Sequence, residues 1–156
     1  MTAVGVGATI VRRAAAVTEQ PIAFDHRRHV EEVGLECTEC HRYATSQARA
    51  TIPNIEVCGD CHAEAMTDSP EEARVVLHIE EGEPIPWRKV YWVPDHVFFS
   101  HRRHTAIAEI ECATCHGEVA ERHEPLTRRL VPVSMDRCME CHAESGASND
   151  CLHCHR

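Results

Sequence analysis

All ten cysteines of this chain fall into one pattern, Cys-x-x-Cys-His. The five copies are Cys37 and Cys40 with His41, Cys58 and Cys61 with His62, Cys112 and Cys115 with His116, Cys138 and Cys141 with His142, and Cys151 and Cys154 with His155. Two thiols at this spacing can add to the two vinyl groups of a porphyrin. The histidine that follows is then placed under the ring as an axial ligand of iron, so the pattern is the attachment signature of c-type haem. Zinc and iron–sulfur sites also use paired cysteines, but they need no histidine directly after each pair. A thioredoxin-like redox site uses one pair in a strand–helix context, and a disulfide framework has no reason to repeat one spacing five times. The reading is therefore five covalently bound haem c groups. The ten cysteines are the attachment points, and His41, His62, His116, His142 and His155 are the proximal ligands.

Thirteen histidines are present, so eight remain: His26, His29, His78, His96, His101, His104, His123 and His153. Four of these lie in an internal repeat, a feature to look for first. Residues 22–41 read IAFDHRRHVEEVGLECTECH and residues 97–116 read VFFSHRRHTAIAEIECATCH. Each copy has a Phe (Phe24, Phe99) two residues before a His-Arg-Arg-His. In each, the Cys-x-x-Cys-His begins 11 residues after the first histidine. Histidines three apart share one face of a helical turn but point in different directions, so such a pair can serve two haems. His26, His29, His101 and His104 are read as distal ligands of four haems. For the fifth, His123 is the first choice and Met135 the rival, because a thioether ligand would raise the potential of one haem. His153, inside the fifth motif, is too constrained to reach over a ring. His78 and His96 are possible ligands, but read better as bystanders or haem-edge contacts.

A haem with two protein ligands offers no open position to a substrate, so the chemistry expected is electron transfer and not catalysis. About 31 residues stand behind each haem (156 divided by five), and aromatic residues make up only 4% of the chain. Large aromatic side chains usually dominate a core. Here the rings must replace it. The fold class expected is mostly irregular with short α-helices, packed around a cluster of five haems.

The repeat sets the organisation. Residues 1–20 form an N-terminal segment, a possible remnant of an anchor or a partner-binding extension. Residues 21–62 form a first two-haem unit, 63–94 a Pro-rich linker, 95–142 a second two-haem unit, and 143–156 the fifth site. Within the linker, Pro70 and two following glutamates suit a helix start, so Glu71–Ile79 is expected to be helical. Val30–Leu35 and Thr105–Ile110 are expected as helical turns, and no segment alternates like a strand.

The formal charge of −9 argues against nucleic acid as a partner. Of the basic pairs, Arg12-Arg13 and Arg128-Arg129 read as solvated surface, whereas Arg27-Arg28 and Arg102-Arg103 stand where they could neutralise haem propionates. No stretch approaches the roughly 20 apolar residues that cross a bilayer. The run Val4–Val11 precedes its arginines, the wrong order for a secretory signal. Haem attachment of this kind still implies export, so the expectation is that the chain starts late or that a partner subunit carries the address.

The FxHxxH…CxxCH…CxxCH arrangement resembles the class III multihaem cytochromes c. Gln20–His26, Pro84–Val90 (PIPWRKV) and Val93–Phe99 (VPDHVFF) resemble the pentahaem subunit of alternative complex III, as do Glu111–Gly117 and Ser134–His142. The likeness spans roughly residues 20–156. It implies an electron-transfer subunit on the periplasmic side of the bacterial inner membrane. The implied partners are other subunits of a membrane redox complex, quinol-oxidising or of iron–sulfur/molybdopterin type, and a soluble cytochrome or similar acceptor. A freestanding periplasmic shuttle or a filament-forming cytochrome is the alternative.

Overall fold

The computed structural model describes residues 17–155. Most of the N-terminal segment, with Val4–Val11 and Arg12-Arg13, lies outside the described residues. Among the described residues six α-helices are seen: α1 (Cys37–Cys40), α2 (Ile55–Cys58), α3 (Pro70–Glu81), α4 (Cys112–His116), α5 (Met135–Ser145) and α6 (Cys151–Cys154). Two π turns, Arg28–Glu32 and Arg103–Ile107, complete the regular structure. Among the described residues there is no strand, only an isolated antiparallel bridge between Val97 and His155. The expected class, short helices in an irregular chain, is what is found.

The short helices carry the attachment motifs. α1, α4, α5 and α6 each contain a complete cysteine pair, and a helical turn puts cysteines three apart on one face. Cys61 is the exception. α2 ends on Cys58, so Cys61 falls outside the helix, in the turn that follows it. The turn keeps the same step by a tighter bond, Cys61 N donating to Cys58 O at 3.2 Å, and His62 N then reaches the same carbonyl at 2.9 Å. Bonds three residues apart are common where a helix runs out.

Local caps start several of these turns. The Asn54 side chain accepts from Ile55 N, that of Ser134 from Arg137 N and that of Asp150 from Leu152 N, each meeting an N–H left over at a helix start. The linker helix α3 is one turn longer than expected. Pro70 opens it, Glu71 and Glu72 occupy its first turn, and Gly82 closes it in the left-handed conformation at φ 66.

The repeat is visible bond by bond. In both copies the turn after His-Arg-Arg-His is wider than an α-helix. Val33 N donates to Arg28 O at 3.0 Å and Leu35 N to His29 O at 3.0 Å, matched by Ala108 N to Arg103 O at 3.0 Å and Ile110 N to His104 O at 2.9 Å. These turns start earlier than the helical segments expected from sequence. In each turn the ring Nδ1–H of the second histidine bonds back four residues, His29 to Asp25 O and His104 to Ser100 O, both at 2.8 Å, and Ser100 O also accepts from His104 N at 3.4 Å. Such widened turns are frequent at functional sites.

The two units dock reciprocally. Arg27 N, in the first His-Arg-Arg-His, donates to Arg122 O, six residues beyond the third motif's His116. Arg102 N, in the second, donates to Gln47 O, six residues beyond His41. Each distal-histidine turn therefore rests on the segment following the other unit's first attachment site. His101 N to Ala48 O and Thr105 Oγ1 to Ala44 O add to the second of these seams. The linker is tied down as well. Asn54 exchanges hydrogen bonds with Ile85, accepting its N–H at 2.8 Å and donating to its carbonyl at 3.0 Å.

Apolar packing by the polypeptide is scant. Among the described residues only Ile22, Ala44 and Ile85 are buried apolar side chains, while Val33, Trp92, Ile107 and Leu152 stand exposed. Burial at roughly 25 cal/mol per Å² over so few residues does not offset the entropy of ordering the chain. Something besides the side chains must fill the interior.

The repeat also supplies a stability test. Gly34 and Glu109 occupy the same place in the two units, and both have positive φ, 87° and 53°. A Cβ at Gly34 would meet nothing within 4 Å, so the cost of Gly34→Ala is conformational only. We expect it to destabilise by about 1–2 kcal/mol, and Glu109→Gly to stabilise by up to about 1 kcal/mol. The check is the guanidinium midpoint of the holoprotein followed by tryptophan emission.

Candidate functional site

The distal and proximal histidines meet in pairs. Ring centres of His29 and His62 are 6.1 Å apart, those of His101 and His116 6.3 Å, and those of His104 and His142 6.2 Å. Two imidazoles bound to one iron from opposite faces, each nitrogen about 2 Å from the metal, have ring centres about 6 Å apart. The pairs therefore have the spacing of bis-histidine iron ligation. His26 is the counterpart of His101 in the repeat, and His41 that of His116. Burial pushes His26 down to about 4, with the neighbouring imidazoles of His41 and then His29 as the next causes.

Phe24 and Phe99 hold the distal pairs in place. Phe24 stacks on His29 at 4.5 Å and meets His26 edge-on at 4.8 Å. Phe99 does the same to His104 and His101, at 4.8 and 4.9 Å. The backbone then sets the tautomer. Ring Nδ1 of His41 faces Thr51 O, that of His101 faces Ala48 O, and that of His142 faces Ser148 O. With Nδ1–H donating to these carbonyls, Nε2 is left with its lone pair. Burial lowers the pKa of His41, His101 and His116, which keeps them neutral, the form that binds metal.

The thiols of several sites are partly withdrawn from solvent. Burial raises the pKa of Cys40, Cys58, Cys112, Cys115 and Cys138, the opposite of what a reactive or metal-bound thiolate shows. In the first unit's second pair the two thiols are placed unequally: Cys58 is half-buried, whereas Cys61, beyond the end of α2, is exposed. Among the described residues no group of three or more His, Cys, Asp or Glu side chains converges on a point as a zinc site would need. The histidines come in twos, which suits a metal whose other four ligands belong to a flat macrocycle. Among the described residues three buried N–H or ring-nitrogen atoms lack a partner: His26 Nδ1, Trp87 Nε1 and Arg122 Nε. Buried polar atoms are rarely left so, and the last two are donors suited to an anionic acceptor such as a propionate. An open cleft lies between His104 and His142, with Arg103, His153 and Cys154 on its walls. The residues present fit haem c.

Electrostatic influence between thiols links neighbouring sites. Cys40 interacts with both Cys58 and Cys61, Cys112 with Cys37, Cys115 with Cys141, and Cys138 with Cys154. Naming sites by their proximal histidine, these links run His62, His41, His116, His142, His155.

The fifth site departs from expectation. The ring that faces His155 belongs to His96, stacked at 5.5 Å and 26°. The Val97–His155 bridge and the bond from Phe98 N to Cys154 O hold the two segments together. His123 is elsewhere. It is the repeat counterpart of Ala48, and so falls on the seam between the units, where its Nδ1 meets Asp25 Oδ2 at 2.9 Å. Met135 stands exposed at the start of α5. His153 Nδ1 binds Ser148 Oγ and His78 Nδ1 binds Glu83 O. The arginine pairs also divide differently. Arg27 and Arg28 pair with Glu31 and Glu32 at 2.8 and 3.6 Å, whereas the corresponding positions of the second unit are Ala106 and Ile107. Arg129 is no solvated bystander: it donates to Val90 O, Trp92 O and Val133 O and lies over the Trp92 ring.

Three residues escaped the sequence reading. Tyr91 donates its hydroxyl to His116 O and accepts from Leu130 N, pinning the third site to the chain beyond it. Arg122 and Trp87 supply the unpartnered donors. None has a spacing signature, because each reaches its place through the linker or the reciprocal docking.

Comparison with known proteins gives two matches. A family model described as cytochrome c7 and related cytochrome c matches residues 22–76 and 97–156. A protein of Nitratidesulfovibrio vulgaris named menaquinone reductase, multiheme cytochrome c subunit, is 33% identical over 162 residues, covering 88% of this chain and 77% of that protein.

Proposed function

We propose, from the premise that this chain belongs to the cytochrome c7 and related cytochrome c family, that it is the electron-relay subunit of a membrane-bound, quinone-linked redox complex. As a multihaem cytochrome c it carries covalently bound haem c and transfers electrons without itself being a catalyst. Haem iron supplies the one-electron couple when bound. The chain's own work is to hold the groups in a row and keep both axial positions closed. The chain of thiol-to-thiol links from one attachment site to the next supports the reading. It gives the protein two ends, one at Cys58 and Cys61 with His62, the other at Cys151 and Cys154 with His155, as a relay between two partners requires.

We take the number of haems as five, one for each cysteine pair. The axial sets are His26 with His41, His29 with His62, His101 with His116, His104 with His142, and His96 with His155. His96 replaces His123 in this scheme because its ring faces the fifth proximal histidine. The relative's name favours a complex of the menaquinone reductase kind, and the PIPW and VPD segments favour one like alternative complex III. Both are quinone-linked assemblies. Among the described residues no helix is long and apolar enough to cross a membrane. The periplasmic side is assigned by analogy with the export that haem c attachment implies.

Two measurements test this. In a native membrane extract the haem-stained protein should co-migrate with membrane subunits and carry the mass of five haems. A small soluble species would instead favour the freestanding shuttle, and fewer haems would remove the count. For the fifth site, His96→Ala should turn one haem from low-spin to high-spin in ferric absorption and EPR spectra, whereas His123→Ala should leave all of them low-spin. The reverse pattern would restore His123 as the ligand.

A further inference from the structure

The two units are near copies, yet their second attachment sites are supported differently. In the second unit, His142 Nδ1 meets a backbone carbonyl, Ser148 O, at 2.9 Å. In the first, His62 Nδ1 meets a carboxylate, Glu72 Oε1, at 2.9 Å. Glu72 comes from the first turn of α3, is 9% exposed, and is the one buried charged or polar side chain among the described residues. A carboxylate is not buried without compensation, and this one is fully engaged. Met66 N donates to Oε1 at 2.9 Å, Thr67 N to Oε2 at 2.8 Å, and the Thr67 hydroxyl to Oε2 as well. Its oxygens are thus turned and fixed toward the histidine by the Met66–Thr67 turn.

A carboxylate on the outer nitrogen of a ligating histidine orients the ring and raises its basicity. The more electron-rich imidazole stabilises the ferric state over the ferrous one. The buried negative charge, poorly screened by solvent, adds to this because ferric haem carries one more positive charge. A neutral carbonyl at the same position does less of both. On the reading that His62 is an axial ligand at one end of the row, we propose that Glu72 is a positioning and tuning residue that lowers the reduction potential of the haem attached at Cys58 and Cys61. The row would then have a low-potential end at His62, set by one side chain from the linker helix. His41 and His142 meet only carbonyls through their Nδ1 atoms, and their haems lack this shift.

The test is a spectroelectrochemical titration of the complete holoprotein, with ferric EPR on the same samples. Glu72→Gln removes the charge but keeps the side chain's size. It should raise one midpoint by at least a tenfold change in the reduction equilibrium, about 59 mV for one electron, and shift one low-spin signal. Thr67→Val keeps the carboxylate and removes one of its competing donors. The charge is then more available to His62, and the same component should move down. Opposite shifts from the two variants are not expected of a residue that only packs. If Glu72→Gln fails to load haem, Thr67→Val decides alone. Unchanged titrations with every haem low-spin would overturn the role of Glu72 and leave the relay reading standing. A wild-type protein with no low-spin haem attached at Cys58 and Cys61 would overturn both.

Discussion

Everything in this molecule depends on distal and proximal imidazole rings being held in pairs with their centres about 6 Å apart. That constraint is demanding, because an imidazole can rotate and can lose its lone pair to a proton. The chain meets it by anchoring the opposite nitrogen. His29, His41, His101, His104 and His142 each turn Nδ1 to a backbone carbonyl, and burial keeps His26, His41, His101 and His116 neutral. The π turns after His-Arg-Arg-His accompany rings that bond back to the chain, His29 to Asp25 O and His104 to Ser100 O.

The same constraint explains how so small an apolar interior suffices. With Ile22, Ala44 and Ile85 as the buried apolar side chains among the described residues, no conventional core holds the units together. Reciprocal docking does this instead. Each distal-histidine turn sits on the segment past the other unit's first motif, which draws the His41 and His116 sites to the centre and sends the His62 and His142 sites outward. An order of His62, His41, His116, His142 is what such an exchange produces. The fifth motif extends the row at one end, beside Cys138.

Much of this was legible in the sequence. The cysteine motifs, the Phe-x-His-x-x-His repeat and the short-helix class depend on local spacing, and local spacing is what a sequence displays. Proline and two glutamates marked the start of α3 correctly. Identical spacing did not mean identical backbone, however: Cys61 lies past the end of its helix, where the other pairs stay within theirs. The fifth distal position is the one whose reading depends most on tertiary placement. His123 lies seven residues past His116 and looked close to a site by chain distance, but the repeat puts it at the seam with Asp25. His96 precedes the second unit and looked like a bystander until the Val97–His155 bridge carried the C-terminus to it. Arg129 was misread for a similar reason: the carbonyls it caps lie about 40 residues back at Val90 and Trp92 and just ahead at Val133.

Duplication by itself would give a symmetric row, and a symmetric row has no preferred direction. Among the described residues, asymmetry enters at several places. The linker helix exists once and delivers Glu72 to a single proximal histidine. The fifth motif exists once and lengthens one end only, held there by a bridge to the segment carrying His96. The glutamates that pair with Arg27 and Arg28 are replaced by Ala106 and Ile107 in the second unit, leaving Arg103 on the wall of the cleft between His104 and His142. The repeated parts set the spacing of the sites, which must be uniform for efficient passage. The unrepeated parts distinguish the ends, which must differ if electrons are to enter at one and leave at the other.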